Sequence, residues 1–158
     1  MDFSIRDARE TDMEQVLALV QELADFEKEP GAVEVNLLDL KKHGFGNDPM
    51  FHCFVAESVD KIVGIALIYP RYSTWKGPVI HLEDLIVTQS MRGKGVGSAL
   101  LDRVVSYGKS LGVKRISWEV LDWNEPAISF YESKGAKVMR DWDVVQLDEM
   151  GIQQYKNN

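Results

Sequence analysis

Glycines alternate with other residues at the start of a predicted helix, and this segment is the part of the sequence best suited to holding a ligand. It comprises Arg92, Gly93, Lys94, Gly95, Val96, Gly97 and Ser98. Glycine lets a backbone approach a ligand closely, and the first amides of a helix lack partners within that helix. The helix dipole and two cationic side chains add positive charge, so the segment predicts a phosphate site. The alternative is a glycine-rich turn that serves tight packing alone.

Two common phosphate-binding motifs do not fit this segment. The nucleotide P-loop requires G-x-x-x-x-G-K-[ST], whereas Gly93-Lys94 is followed by Gly95. Of the dinucleotide fingerprint G-x-G-x-x-G, only the first two glycines are matched. The acidic residue that binds the ribose in that motif follows about 20 residues later, and Glu119 stands at about this spacing. An antiparallel hairpin predicted upstream also disfavours a dinucleotide-binding fold.

Hydrophobic periodicity predicts alternating strands and helices around this glycine segment. The predicted order is a strand at 3–6, a helix from a Thr11 capping box to Phe26, a helix at 36–44, strands at 51–58 and 61–72 joined by a Val59-Asp60 turn, a strand at 79–87, a helix at 97–111, a strand at 115–120, a helix at 124–134 and a strand at 138–147. This β-α-α-β-β-β-α-β-α-β order predicts an α/β (α+β) fold with a mixed, mostly antiparallel central sheet flanked by helices.

Length and composition indicate one domain over residues 1–158, because 45% apolar content is enough for a full core. The net charge of −7 disfavours partnership with nucleic acid or anionic membranes. Cys53 is the single cysteine and no apolar run is long enough to span a bilayer, so we expect a soluble, cytoplasmic protein. His43, His52 and His81 lack the spacing of a metal site, and we expect none.

The glycine segment resembles the R/Q-x-x-G-x-G/A loop of the GNAT superfamily of N-acetyltransferases. HLEDLIV before it and VLDWNEPAISFYESKGA after it are similar to segments of spermidine/spermine N-acetyltransferases and their thialysine-acetylating relatives. ELADFEKEP and HGFGNDPMFHCFVAE extend the likeness over nearly the entire chain. The resemblance implies a GNAT-like sheet, acetyl-CoA as cosubstrate with its pyrophosphate at the glycine segment, and a homodimer.

Acetyl transfer to an amine needs an amine without its extra proton, a polarised thioester carbonyl and a protonated leaving thiolate. An alkyl ammonium with a pKa near 10.4 costs about 4 to 5 kcal/mol to deprotonate at pH 7. The resemblance implies that Glu83 is the base or a water relay and that Tyr131 is the general acid. Strand alternation places Asp84 on the opposite face from Glu83, where the resemblance implies a substrate-side acid. The alternatives are solvated carboxylates at a strand end and a core tyrosine.

The resemblance also implies two sets of binding residues. Backbone groups of Leu85, Ile86 and Val87 would pair with the pantetheine arm and polarise the carbonyl, and the other cofactor contacts would come from the glycine segment and from Asn124, Glu125, Pro126, Ala127 and Lys134. The implied substrate residues, besides Asp84, are Phe26, Glu27, Trp118, Glu119, Asp141 and Trp142. Phe26 stands where polyamine enzymes carry tyrosine, and Asp141 where they carry glycine, so polyamines, diamines and thialysine-like amino acids all stay open as acceptors.

The predicted activity is diamine N-acetyltransferase-like: direct attack of a small cationic amine on acetyl-CoA in a ternary complex. One alternative is a non-catalytic acyl-CoA-binding or regulatory module, and another is an acetyltransferase acting on a peptide amine. The presence of both Glu83 and Tyr131 favours an enzyme, since a module without turnover would need neither.

Overall fold

The computed structural model describes residues 2–157 and divides them into two units, 2–119 and 120–157. The first unit contains strands β1 (Ser4–Asp7), β2 (His52–Ser58), β3 (Lys61–Ser73), β4 (Gly77–Val87) and β5 (Ile116–Ser117), with helices α1 (Met13–Phe26), α2 (Leu37–Phe45) and α3 (Val96–Leu111). The second unit contains α4 (Glu125–Ser133) and α5 (Glu149–Gln153). No helix among these residues combines the length and apolar character needed to cross a membrane.

The five strands form one sheet in the order β1-β2-β3-β4-β5. The first four pair antiparallel, each with the next along the chain, and β5 joins β4 in parallel after α3. The β2–β3 connection is the predicted tight turn, with Val59 at φ 49° and Asp60 at φ 59°. Two consecutive positive φ values are those of a type I′ hairpin. The predicted mixed, mostly antiparallel sheet is thereby confirmed.

Helices α1 and α3 cover opposite faces of this sheet. Ile65 and Leu67 of β3 belong to a buried cluster with the α1 residues Met13, Val16 and Leu19. On the other face, a Cβ on Gly64 would lie 3.0 Å from Leu100 and 3.1 Å from Val96 of α3. Alternation along β3 therefore gives each helix its own row of contacts. Gly64 is a site where α3 packs close to the sheet.

The starts of α1 and α2 show how local polar residues set helix boundaries. At α2, Asn36 Oδ1 accepts from Asp39 N at 2.9 Å, and Asp39 Oδ2 accepts from Asn36 N at 3.0 Å. This reciprocal capping box agrees with the predicted start. The box predicted at Thr11 is wrong, because a 3-10 turn over Glu10–Asp12 precedes α1 and Asp12 Oδ2 accepts from Arg9 N instead. The Asp12 carboxylate is bound there by Arg6, at 2.7 Å.

The predicted strand at 138–147 is wrong. Within the second unit this segment is irregular, and α5 follows it where no helix was predicted. A strand exists only as part of a hydrogen-bonded ladder, and among residues 120–157 no strand is present to pair with it. The predicted strand at 115–120 is likewise reduced to β5, two residues long, whereas the helix predicted at 124–134 is confirmed as α4.

Candidate active site

The glycine segment between β4 and α3 has the backbone geometry of an anion-binding turn. Gly93 has φ 74° and Gly95, the residue that caps α3, has φ 85°. A Cβ built at either position would meet no atom within 4 Å, so it is the φ values, not crowding, that call for glycine. Met91 and Val96 are buried on either side and anchor the turn. The amides of the first turn of α3 are left without partners inside the helix, as binding a phosphate requires.

The two cations of this segment contact residues outside it, on the chain that leads into it and on α1. Arg92 Nε donates to the carbonyl of Val87 at 3.0 Å, and its guanidinium lies 5.3 Å from the centre of the Phe26 ring. Lys94 Nζ donates to the carbonyl of Ser90 at 3.0 Å. Phe26, predicted as a substrate residue, is therefore placed beside the glycine segment at the end of α1.

A carboxylate from α1 holds the chain as it enters the glycine segment. Glu22 Oε2 accepts from Thr88 Oγ1 at 3.0 Å, and Glu22 Oε1 accepts from the Gln89 amide at 2.9 Å. Sequence reasoning missed Glu22, because its partners lie more than sixty residues away and the apolar helix pattern gives no sign of them. These hydrogen bonds fix the positions of Thr88 and Gln89 relative to α1.

The backbone of β4 near the predicted pantetheine contacts pairs with a strand on one side only. Leu85, Ile86 and Val87 are opposite Ala66, Ile65 and Gly64 of β3. On its other side, β4 pairs with β5 only at Ile80 and His81, as far as residues 2–157 are concerned. From residue 82 onward, β4 thus has no strand partner on that side among residues 2–157, which is the backbone arrangement that β-augmentation uses.

A β-bulge places the two neighbouring carboxylates of β4 on one face of the sheet. Asp84 pairs with Leu67 and Leu82 pairs with Ile68, so Glu83 is the extra residue. The Glu83 carboxylate contacts Tyr69, which shares the α1 face of β3 with Leu67. Asp84, opposite Leu67, lies on that same face. The prediction that alternation sends Asp84 to the opposite face is therefore wrong, because the bulge interrupts the alternation.

Burial and neighbouring charge raise the proton affinity of Asp84 in this acidic group. Burial, then the charges of Glu83 and Glu27, raises the pKa of Asp84 to about 6. Burial also raises the pKa of Glu27, the last residue before α1 gives way to a loop. Groups whose pKa is shifted by burial plus a specific charge mark candidate functional sites. A cationic ligand placed beside Asp84 would offset the repulsion from Glu83 and Glu27.

Glu83 also has neighbours that the sequence did not indicate. Tyr69 donates its hydroxyl to Glu83 Oε2 at 3.2 Å, and Nε2 of the buried His81 lies 3.5 Å from the same oxygen. Burial and the Glu83 charge raise the pKa of Tyr69, and the charge of the exposed Glu119 adds to the effect. Glu119 therefore acts on Tyr69 through its charge. Trp118, the preceding residue, is half-buried.

The predicted site residues of the second unit gather mainly on α4. Asn124 Oδ1 accepts from the Ala127 amide at 3.4 Å, and Glu125 and Pro126 form the first turn. Tyr131 is half-buried in the following turn, and its ring centre is 5.5 Å from that of Phe130. Lys134 closes the helix. Two further predicted substrate residues, Asp141 and Trp142, are exposed and lie outside both helices.

Within residues 2–157 no group of three or more His, Cys, Asp or Glu side chains is arranged to hold a metal ion. His52 stacks on Tyr107 at 5.1 Å, and His81 belongs to the group around Glu83.

The chain is similar to known acetyltransferases in sequence and in fold. Residues 13–136 match the Acetyltransferase (GNAT) family. Thialysine N-epsilon-acetyltransferase of Bos taurus is 38% identical over 141 residues, covering 84% of this chain and 83% of that protein. Spermidine/spermine N(1)-acetyltransferase-like protein 1 of Homo sapiens is 36% identical over 141 residues, covering 85% of this chain and 20% of that longer protein.

Two solved structures share the fold at low sequence identity. An integron cassette protein from the mobile metagenome of V. cholerae has a TM-score of 0.80 at 22% identity, covering 98% of this chain and 97% of that one. Aminoglycoside N-acetyltransferase AAC(6')-Iy, solved in complex with CoA, has a TM-score of 0.74 at 20% identity, with coverages of 94% and 95%. The family match and the identity to the bovine relative decide the assignment: this chain belongs to the GNAT family of acetyltransferases and is an acetyltransferase enzyme.

Proposed function

We propose that this enzyme transfers acetyl from acetyl-CoA to a primary amine of a small cationic acceptor, in the class of polyamines, diamines or thialysine-like amino acids. The observation that carries the proposal is the group formed by Glu83, Asp84 and Glu27, in which burial and mutual repulsion raise the pKa of Asp84 to about 6. A small cation suits such a group because it neutralises the repulsion. The names of the relatives, thialysine N-epsilon-acetyltransferase and spermidine/spermine N(1)-acetyltransferase-like protein 1, agree with that class.

Acetyl-CoA is the cosubstrate used by GNAT acetyltransferases, and the glycine segment fits its diphosphate. The positive φ values of Gly93 and Gly95 turn the chain so that α3 begins with its free amides at the segment. We assign the phosphate contacts to the Arg92–Ser98 backbone and the pantetheine contacts to the open edge of β4 at Leu85, Ile86 and Val87. The contacts proposed for the second unit are Asn124, Glu125, Pro126, Ala127 and Lys134, on the strength of the family resemblance.

In the proposed reaction, the acceptor ammonium first gives a proton to Glu83, directly or through water. The amine nitrogen then attacks the thioester carbonyl carbon, so that an N–C bond forms and the C–S bond breaks. Tyr131 donates its phenol proton to the departing thiolate, and the second amine proton leaves to solvent as the amide forms. The role of Tyr131 rests on the family resemblance of α4.

An acetyl-CoA consumption screen tests the proposed substrate class. The panel comprises spermidine, short diamines, thialysine, lysine and peptides with a free amine. We expect turnover with the small cationic amines and little with the peptides. Consumption with peptides alone would replace the proposal by a peptide acetyltransferase, and consumption with none would favour an acyl-CoA-binding module.

Two substitutions test the assigned chemistry. Glu83→Gln should lower kcat about 100-fold, the lower end of a general-base contribution, and most strongly below neutral pH. Tyr131→Phe should lower kcat by a similar factor and leave the KM for acetyl-CoA unchanged. An unaltered pH–rate profile in Glu83→Gln, or normal turnover in Tyr131→Phe, would remove that residue from the mechanism.

We further propose a single acetyltransferase domain over residues 1–158, a homodimer and a cytoplasmic location. The family match at 13–136 runs through both units, which supports one functional domain. Exposed apolar residues, among them Val144 and Val145 at 62% and 91% exposure, support association of two copies. Cys53 is buried with a pKa raised to about 12, which makes it a core thiol that fits a reducing compartment. Analytical ultracentrifugation checks the dimer.

A further inference from the structure

We propose that His81 is a positioning residue: its ring binds one carboxylate oxygen of Glu83, Oε2, and leaves Oε1 to take the proton from the acceptor amine. This inference rests on the proposed role of Glu83. It assigns a task to a buried histidine for which the sequence indicated no metal-binding role.

The contacts of Glu83 within residues 2–157 converge on a single oxygen. Tyr69 donates its hydroxyl to Oε2 at 3.2 Å, and His81 Nε2 lies 3.5 Å from the same Oε2. The centres of the Tyr69 and His81 rings are 5.2 Å apart, and the two rings are tilted by 43°. Two groups from paired strands thus lie at one oxygen of the carboxylate, and neither is at the other.

The far side of the His81 ring determines which nitrogen carries the proton. Arg71 Nη1 lies 3.5 Å from His81 Nδ1, and Ser117 Oγ lies 3.3 Å from it. A guanidinium has donors only, so Nδ1 must present its lone pair to Arg71. In the neutral ring the hydrogen is then on Nε2, the nitrogen that lies 3.5 Å from Glu83 Oε2. Arg71 and Ser117 therefore select the tautomer that can donate to Glu83.

Glu83 needs such support because of where the chain places it. It is the extra residue of a β-bulge, and its side chain is 51% exposed, so its own packing constrains it little. A base that is loosely held loses much of its rate advantage, since small errors in orientation are costly in proton transfer. The charged or titratable groups around His81 are Tyr69 and Arg71 on β3 and Glu83 on β4, with Glu119 just beyond Ser117 of β5.

The test compares His81→Gln with His81→Asn. The glutamine amide nitrogen reaches about the position of Nε2 and keeps a donor toward Glu83, whereas the asparagine amide reaches only about as far as Nδ1 and leaves Oε2 without that donor. We expect His81→Asn to lower kcat about 10-fold to 100-fold, the equivalent of one charge-assisted hydrogen bond, with KM for acetyl-CoA unchanged. The acid limb of its pH–rate profile should move up by about 1 pH unit, while His81→Gln should retain both kcat and the wild-type profile. Equal activity of the two variants, at equal melting temperature, would overturn the inference.

A double-mutant cycle with Glu83→Gln separates the two proposals. If Glu83→Gln alone turns over normally, the assigned role of Glu83 fails, and that of His81 fails with it. If Glu83→Gln is impaired, His81→Asn should cost nothing further in that background. An undiminished second loss would overturn the His81 inference alone, because His81 would then act on something other than Glu83.

Discussion

Replacing Asp84 with Asn should stabilise the protein against unfolding, by an amount that depends on pH. Asp84 is a buried carboxyl whose pKa is raised from 3.8 to about 6, first by burial and then by the charges of Glu83 and Glu27. Ionising it in the native state is therefore costly. Asn has nearly the same shape and cannot ionise, so the variant escapes that cost.

The sign and the pH window follow from proton linkage. In the unfolded chain Asp84 loses its proton near pH 3.8, while in the native state it keeps the proton until about pH 6. The native state binds more protons between these values, so stability falls as pH rises through the window and is level above it. A shift of about 2 pKa units corresponds to about 3 kcal/mol. Asp84→Asn should thus be more stable by about 3 kcal/mol above pH 6, and by almost nothing at pH 4.

Urea unfolding of wild type and Asp84→Asn at pH 4, 5, 6 and 7.5 measures this difference. Asp12 and Glu57 have pKa values lowered by Arg6 and contribute with the opposite sign, but they are present in both proteins and cancel. Glu34→Gln, at an exposed carboxylate, is the matched control and should show no such pH dependence. A stability difference that stays constant with pH, or a less stable variant at pH 7.5, would refute the reasoning.

Two further substitutions test the fold. Val59→Asn should raise the free energy of unfolding by about 1 kcal/mol, because a β-branched residue at φ 49° in a type I′ turn is replaced by one that favours this region, and a higher melting temperature would show it. Gly64→Ala should destabilise the protein by about 1 to 3 kcal/mol, since the new methyl group would lie 3.0 Å from Leu100 and 3.1 Å from Val96, and chemical denaturation would detect the loss. An unchanged midpoint for either variant would contradict the corresponding contact.

Features encoded in neighbouring residues could be predicted. The apolar stripe of α1, the Asn36–Asp39 capping box of α2 and the Val59-Asp60 turn each depend on residues a few positions apart. The glycine segment is of the same kind, because Gly93 and Gly95 adopt their positive φ values where β4 gives way to α3. The order of strands and helices through α4 followed from these local signals.

Features that depend on partners far away in the sequence could not be predicted. The segment 138–147 alternates like a strand, yet no ladder is present within residues 120–157 to receive it. The bulge at Glu83 reverses the face expected for Asp84, and a bulge is defined by the register with β3. Glu22 and its partners Thr88 and Gln89 come from separate elements and carry no common motif.

The sequence by itself determined the family and the glycine turn, because these reside in local backbone preferences and in a recognisable run of side chains. The tertiary structure alone decided that Glu83, Asp84 and Glu27 share one acidic group and that Glu83 Oε2 is held by Tyr69 and His81. The physical reason is that electric fields and hydrogen bonds act through space. Their strength depends on distance and burial, which strand register and helix packing set.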